Sequence, residues 1–468
     1  MQLTSALLEV LRVSSLLLVF STEILFLAQK REPIYHALPF SCFLLFFILK
    51  TYLSRPSQVY LVDFSCFRPP NSWRVPFSTY LEHARMFNIF DKESLSFMAR
   101  MLTSSGQSEN TYLPPALHYI PPRSTDQESI DEFRMVAFPV FEDLMSKTNL
   151  SPRDIDILIV NSSVICPSPS LASMIINKYA LREDVKSFNV SGMGCSASAI
   201  SIDIAQNILK TRRNSNAVII STEILSTGWY SGKERPMLIL NCSFRTGSAA
   251  ILLTNKREDT KTPKYVLLRS LRTQRANDDL AYNSAMREED SNGLVGFALK
   301  KDLMKAVGET LMSNFTILGS LTFPFTEKIR YVVSVLWKRF FDKSAEVYIP
   351  SFRPIIQHFC LPTSGKALIG EIGKGLKLGE KDVEAALMTL HRFGNQSSSS
   401  LWYELAYMEG KERVKKGDKV WMLGFGSGLK CTSLVWKCVR PIVGEAQRGP
   451  WADSIDSYPV LSIDQRDS

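Results

Sequence analysis

Apolar positions fall in two rhythms along this chain. Short continuous runs such as Ala217-Val218-Ile219-Ile220 and Val420-Trp421-Met422-Leu423 predict buried strands. Stretches at helical spacing lie between such runs. Ile200, Ile204 and Ile208 share one face of an amphipathic helix, followed by the basic turn Arg212-Arg213 and the first strand. Far downstream, Leu401, Leu405 and Met408 repeat the arrangement, followed by Lys415-Lys416-Gly417 and the second strand. Each copy opens on a glycine turn into small residues: Gly194-Cys195-Ser196-Ala197-Ser198 and Gly394-Asn395-Gln396-Ser397-Ser398. A repeat of this length predicts two related half-domains in an α/β architecture with mostly buried strands. It also sets a cysteine and an asparagine at equivalent helix entrances, which two-fold packing of the halves would bring together.

Three further segments stand out by patterning. Residues 13–28 and 37–53 are largely apolar, broken by Glu23 and Lys50 and linked by Gln29-Lys30-Arg31-Glu32-Pro33. They predict a membrane hairpin, each arm near the short end of the spanning range of about 17–25 residues. The first arm has a second reading, lying in the interface with Arg12 and Glu23 at its polar edge. Tyr331, Val332, Val335, Leu336, Phe340 and Phe341 form an apolar stripe at helical spacing, packed on the core or dipping into a membrane face. Residues 444–468, rich in Asp, Ser, Gly and Pro, predict a disordered tail.

Composition narrows the function classes. The chain has 468 residues and 45% hydrophobic content, enough for a large core. Its net charge of +9 suits an anionic membrane surface or a phosphorylated cofactor. The basic residues are spread out and match no nucleic-acid module, so nucleic acid is not expected as a partner. Eight cysteines without CxxC pairing indicate free thiols in a reducing compartment. The five histidines, His36, His83, His118, His358 and His391, form no ligand cluster, so no metal and no bound cofactor is expected. A hairpin anchor returns the chain to its starting side, which puts the body in the cytosol and leaves the sequon Asn314-Phe315-Thr316 unglycosylated.

From Val59 to about Val443 the chain resembles the plant 3-ketoacyl-CoA synthases, condensing enzymes of very-long-chain fatty acid elongation. The resemblance is carried by Val62-Asp63-Phe64-Ser65-Cys66-Phe67-Arg68-Pro69-Pro70, Thr111-Tyr112-Leu113-Pro114-Pro115, Ser187-Phe188-Asn189 and Gly192-Met193-Gly194-Cys195-Ser196-Ala197. It continues through Phe244-Arg245-Thr246-Gly247, His391-Arg392-Phe393-Gly394-Asn395 and Trp402-Tyr403-Glu404-Leu405. It implies a thiolase-like fold, five layers αβαβα from two pseudo-equivalent halves, at 56–255 with the cysteine and 256–443 with the asparagine. Residues 1–55 would anchor the protein in the endoplasmic reticulum membrane. Acyl-CoA and malonyl-CoA are the implied substrates. A homodimer, a heterodimer with another synthase and an elongase complex are the implied assemblies.

Within that resemblance Cys195 is the nucleophile position. It follows the strand 185–190 and opens the helix 196–209, where the backbone dipole is expected to lower the thiol pKa toward neutrality. Its backbone N–H is placed to help form an oxyanion hole. Asn395 matches the family's active-site asparagine, an amide donor to a thioester or enolate oxygen, and can also cap the helix after it. Gly424, Gly426 and Gly428 resemble the glycine-rich loop of the active-site wall, and serve close backbone approach.

One position departs from the pattern. The family carries a histidine followed by Ala-Gly-Gly where this chain reads His358-Phe359-Cys360-Leu361-Pro362-Thr363-Ser364-Gly365, with Pro362 at the histidine's place. Proline can neither accept the cysteine's proton nor donate to an enolate. A second family histidine is replaced by Gln274, after Arg272-Thr273. His358 lies four residues before Pro362, about 13 Å along a strand. His391 stands where the family already has a histidine. General acid–base groups contribute on the order of 10²–10⁴ in rate. Two functions follow: a condensing enzyme of impaired activity, or a non-catalytic partner that binds and modulates an active synthase or elongase complex.

Overall fold

The computed structural model describes residues 58–256 and 263–460, with Ser41 and Leu45. The membrane hairpin expected at residues 1–55 falls outside the described body. Among the described residues no helix is long and apolar enough to cross a membrane.

The strands are β1 (Tyr60–Cys66), β2 (Ile157–Asn161), β3 (Lys186–Val190), β4 (Asn216–Thr222), β5 (Ser248–Thr254) and β6 (Tyr265–Gln274). They continue with β7 (Ala285–Glu289), β8 (Val295–Leu299), β9 (His358–Cys360), β10 (Lys419–Gly426) and β11 (Lys430–Cys438). Nine of them line up as β3-β2-β4-β5-β1-β6-β11-β10-β9, and β7 and β8 form a separate hairpin. The two wings meet at a short joint, Tyr60 against Val266 and Leu61 against Tyr265. Outward from it, β1 runs antiparallel to β5, β5 antiparallel to β4, and β4 parallel to β2. On the other side β6 runs antiparallel to β11, β11 antiparallel to β10, and β10 parallel to β9. The repeat read from two helix–strand units therefore extends to four strands on each side of the joint, with β3 added at the outer edge of the first wing.

Six helices matter for the site and the surface: α1 (Asp126–Thr148), α2 (Ala197–Thr211), α3 (Leu303–Thr322), α4 (Phe325–Phe340), α5 (Glu380–Phe393) and α6 (Ser400–Gly410). Strand alternation distributes the core among the layers. Ile157, Ile159, Ala217 and Ile219 face a central cluster with α2 and α6, while Leu158, Val160, Val218 and Ile220 face α1 on the other side. In the second wing Val420 and Met422 point to the same centre, whereas Trp421, Leu423 and Phe425 pack with α3. The interior strands β2, β4 and β5 are buried at every position and mostly apolar, as expected of strands covered on both faces. This is the layering of a thiolase-like fold.

Two expectations are corrected. The helix carrying Leu401, Leu405 and Met408 is not amphipathic: Ala406 alone among the α6 residues escapes burial, because the middle layer is covered on both sides. Nor is the tail disordered over 444–460. Trp451 is buried against Phe393, Tyr407 and Tyr458, and its indole N–H donates to Tyr403 O at 2.8 Å. Its Asp, Ser and Gly content hid three apolar anchors, Trp451, Ile455 and Tyr458, all buried. Residues 461–468 lie outside the described residues.

Asn314 is fully buried, donating to Thr273 Oγ1 and Cys431 O and accepting from Ser433 Oγ. In the folded body the sequon's asparagine side chain has no access to solvent.

Candidate active site

The loop that carries Cys195 is shaped by close backbone contact. Gly194–Ser196 form a 3-10 turn leading into α2, with Gly194 at φ +57°. Strand β10 presses against this turn. A Cβ on Gly426 would sit 2.2 Å from Met193 O and 2.5 Å from Ser196 Oγ, and one on Gly424 would sit 2.9 Å from Ala199 Cβ. Glycine is needed there because backbone has to meet backbone. Gly428 serves the turn between β10 and β11, at φ +63°.

Asn395 arrives from the other half. Its carbonyl accepts from Arg245 N–H at 2.8 Å and its own N–H donates to Ser243 O at 3.3 Å. Gly394, at φ +75°, packs so close that a Cβ would lie 2.4 Å from Arg245 Cγ. Arg245 is itself buried and held by Thr111 Oγ1 and Phe244 O. Behind the strap, Arg392 donates to Tyr112 OH, Asn110 O and Asp453 Oδ2. The helix pair is joined by Trp402, whose indole N–H donates to Ser198 Oγ at 2.7 Å. Most of the sequence motifs singled out above thus hold the two helix entrances together.

A cavity of about 430 Å³ opens onto this junction. It is lined by Cys195, Asn395, Ser397, Glu223 and Gly426, and further in by apolar side chains such as Leu113, Leu240, Phe244 and Phe297. Its size fits a small-molecule site with an apolar body and few polar groups. Met304 and Lys366 line it while remaining exposed, so they mark its rim.

Ser397 Oγ stands between the half-buried thiol and a carboxylate, 3.5 Å from Cys195 Sγ and 3.3 Å from Glu223 Oε2. The other oxygen of Glu223 accepts from Ser163 N–H, Val164 N–H and Ser162 Oγ. Burial raises the Glu223 carboxyl above its ordinary pKa against those donors. The expectation of a thiol near neutrality is overturned: burial pushes Cys195 up to about 11. The Ser397 hydrogen bond pulls it down and the Glu223 charge raises it further. A single helix entrance does not outweigh an apolar cavity and a neighbouring anion. Asn395 stands one residue ahead of the cap position, Gln396, and makes an Asx turn instead of a cap, Oδ1 accepting from Ser397 N–H at 2.9 Å, which leaves its amide nitrogen as the donor group.

Among the described residues no histidine lines the cavity. His358 faces Asp418 Oδ2 at 2.9 Å, and His391 faces Tyr458 OH at 2.9 Å. Pro362 is buried just beyond β9, and Gln274 is exposed at the end of β6; neither is on the lining. Gly424 and Gly428 also lie off it, acting through the backbone. Sequence reasoning missed Glu223 and Ser397. A carboxylate directly after the fully buried strand 216–222 was the available signal for the first, and the small-residue run after Asn395 concealed the second.

Residues 51–340 match the family described as FAE1/Type III polyketide synthase-like protein, and residues 355–438 match the C-terminal part of 3-oxoacyl-[acyl-carrier-protein] synthase III. Among relatives, 3-ketoacyl-CoA synthase 5 of Arabidopsis thaliana is 50% identical over 422 residues, covering 90% of this chain and 86% of that protein. This chain belongs to the 3-ketoacyl-CoA synthase family. The similar 3-ketoacyl-CoA synthase 6 of Arabidopsis thaliana is 48% identical, covering 90% of this chain and 84% of that protein. A solved structure of a CsyB mutant superposes with TM-score 0.62 at 16% identity, over 81% of this chain and all of that one, which concerns the fold alone.

Proposed function

We propose that this 3-ketoacyl-CoA synthase loads a long acyl group from acyl-CoA onto Cys195 and condenses it slowly with malonyl-CoA. The observation that carries this is the convergence of Cys195, Ser397 and Asn395 on one apolar cavity. In loading, the sulfur attacks the thioester carbonyl while its proton passes through Ser397 Oγ to Glu223. Coenzyme A leaves as thiolate and is protonated in turn. In condensation, malonyl-CoA loses carbon dioxide and the resulting enolate attacks the acyl thioester. The Cys195 sulfur is expelled, and the product is a 3-ketoacyl-CoA two carbons longer. The Asn395 amide donates to the developing oxyanion. The imidazole that would share this work is absent, so condensation is the step most slowed.

The setting we propose is the endoplasmic reticulum membrane, with the body in the cytosol and the chain paired with itself or another synthase. The apolar runs before residue 55 and the free thiols support it. A second reading rests on the histidine-free lining: a chain that retains the fold and modulates an active synthase or the elongase complex.

Both are tested with purified full-length protein and labelled malonyl-CoA, alone and mixed with an active synthase, beside a Cys195→Ala control. Turnover above the control establishes condensation. An acyl adduct on Cys195 by mass spectrometry without turnover establishes loading alone. Neither, with a changed rate in the mixture, establishes the modulator.

A further inference from the structure

The surface of α4 is built the wrong way round for a helix of a soluble body. A helix of a globular protein turns its apolar stripe to the core. None of the residues of α4 is buried. At about 100° per residue, Phe325, Ile329, Val332, Leu336, Trp337 and Phe340 fall within an arc of about 140°. All six are exposed, Phe325 at 76% and Phe340 at 69%. On the polar side, Glu327 Oε2 accepts from Tyr348 OH at 2.5 Å and Ser334 Oγ accepts from Tyr348 N–H at 3.0 Å, so that side carries the chain segment that follows the helix. The polar face is thus occupied by the helix's own following segment, while the described residues leave the apolar arc uncovered. Exposed Leu321 before it and exposed Phe341 after it extend the patch.

Basic residues border the arc. On the same wheel Lys328 and Arg339 flank one edge and Arg330 flanks the other, while Lys338 sits on the far side. An apolar stripe with aromatic residues and Lys or Arg at its borders is the pattern of a helix lying in a bilayer interface. We infer that α4 docks flat on an acidic lipid surface, its aromatic face among the acyl chains and its basic borders at anionic headgroups. A second copy of this chain fits less well. Self-complementary packing of the same face would set the basic borders of one copy against those of the other. Anionic headgroups oppose them instead, and the chain's net charge of +9 acts in the same direction. The inference is independent of the proposed chemistry, since no α4 residue lines the cavity.

Full-length protein is reconstituted into phosphatidylcholine–phosphatidylserine vesicles whose acyl chains are brominated near the headgroup. The Trp337 signal is taken as the difference between the wild-type chain and Trp337→Phe. Bromine is expected to quench that difference signal at least twofold, with acrylamide access lost. The quenching is expected to disappear in a Phe325→Asp/Phe340→Asp variant, which disturbs no buried contact. A Trp337 signal still open to acrylamide and unquenched by bromine overturns the inference. So does a signal shielded from both, which identifies a protein partner or second copy. Equal quenching in phosphatidylcholine alone overturns the assignment of an acidic surface.

Discussion

Ser397 Oγ lies 3.5 Å from Cys195 Sγ although the two residues are 202 positions apart in sequence. The same hydroxyl reaches Glu223, so one small side chain of the second half joins the Cys195 thiol of the first to a buried carboxylate.

That relay separates two reactions of the same sulfur. The Cys195 thiol ionises at about 11, so its alkylation by iodoacetamide should climb about tenfold per pH unit below that value. Glu223→Gln removes a negative charge that raises the thiol, and alkylation at pH 8 should quicken several-fold. Acyl loading from acyl-CoA needs the proton acceptor and should slow by about tenfold or more. Ser397→Ala removes the hydrogen bond that lowers the thiol, so both reactions should slow. Mass spectrometry of the Cys195 peptide follows each; equal slowing of both reactions by Glu223→Gln would count against the relay.

Pro362→His places an imidazole just beyond β9, where the family resemblance leads one to expect it. Condensation with labelled malonyl-CoA should rise by about 10²-fold or more, the usual worth of an acid–base group, with loading less affected. An unchanged rate would mean that the second half has drifted beyond this one position.

Glu132, in α1, is buried and accepts from Leu225 N–H, Ser226 N–H and Ser226 Oγ, just beyond Glu223. Burial raises its carboxyl from 4.5 to about 7. A raised carboxyl binds its proton more tightly in the folded state, so this contribution to stability is full below about pH 4.5 and gone above about pH 7. Between pH 8 and pH 5 the wild-type chain should gain about 3 kcal/mol more stability than Glu132→Gln. Denaturant titrations at the two pH values measure the difference.

Gly426→Ala forces a Cβ to within 2.2 Å of Met193 O. Backbone must shift at the turn that bears Cys195, so stability should fall by about 1–3 kcal/mol and loading should fall with it. Gly308→Ala in α3 meets nothing within 4 Å and should instead stabilise by up to about 1 kcal/mol. Thermal melts of the two variants should move in opposite directions.

The half-domain repeat was legible because sheet wings of the same order need the same run of glycine turn, helix and apolar strand. Cys195 and Asn395 were legible for the same reason, as equivalent positions in that run. What escaped was set by three-dimensional neighbours. No local pattern says that α6 is covered on every side, that Trp451 enters the core between Phe393 and Tyr407, or that Glu223 meets Ser397. The thiol's pKa was misread because a helix entrance is visible in sequence and an apolar cavity is not.

The packing of residues 451–458 also orders events during synthesis. Arg392 takes its partners Asp453 and Ser454, and His391 its partner Tyr458, from more than sixty residues later. While the ribosome still covers that stretch, the strap bearing Asn395 lacks its backing. The half that carries Cys195 is translated long before, so in a nascent chain the thiol waits without its amide neighbour until the final segment emerges.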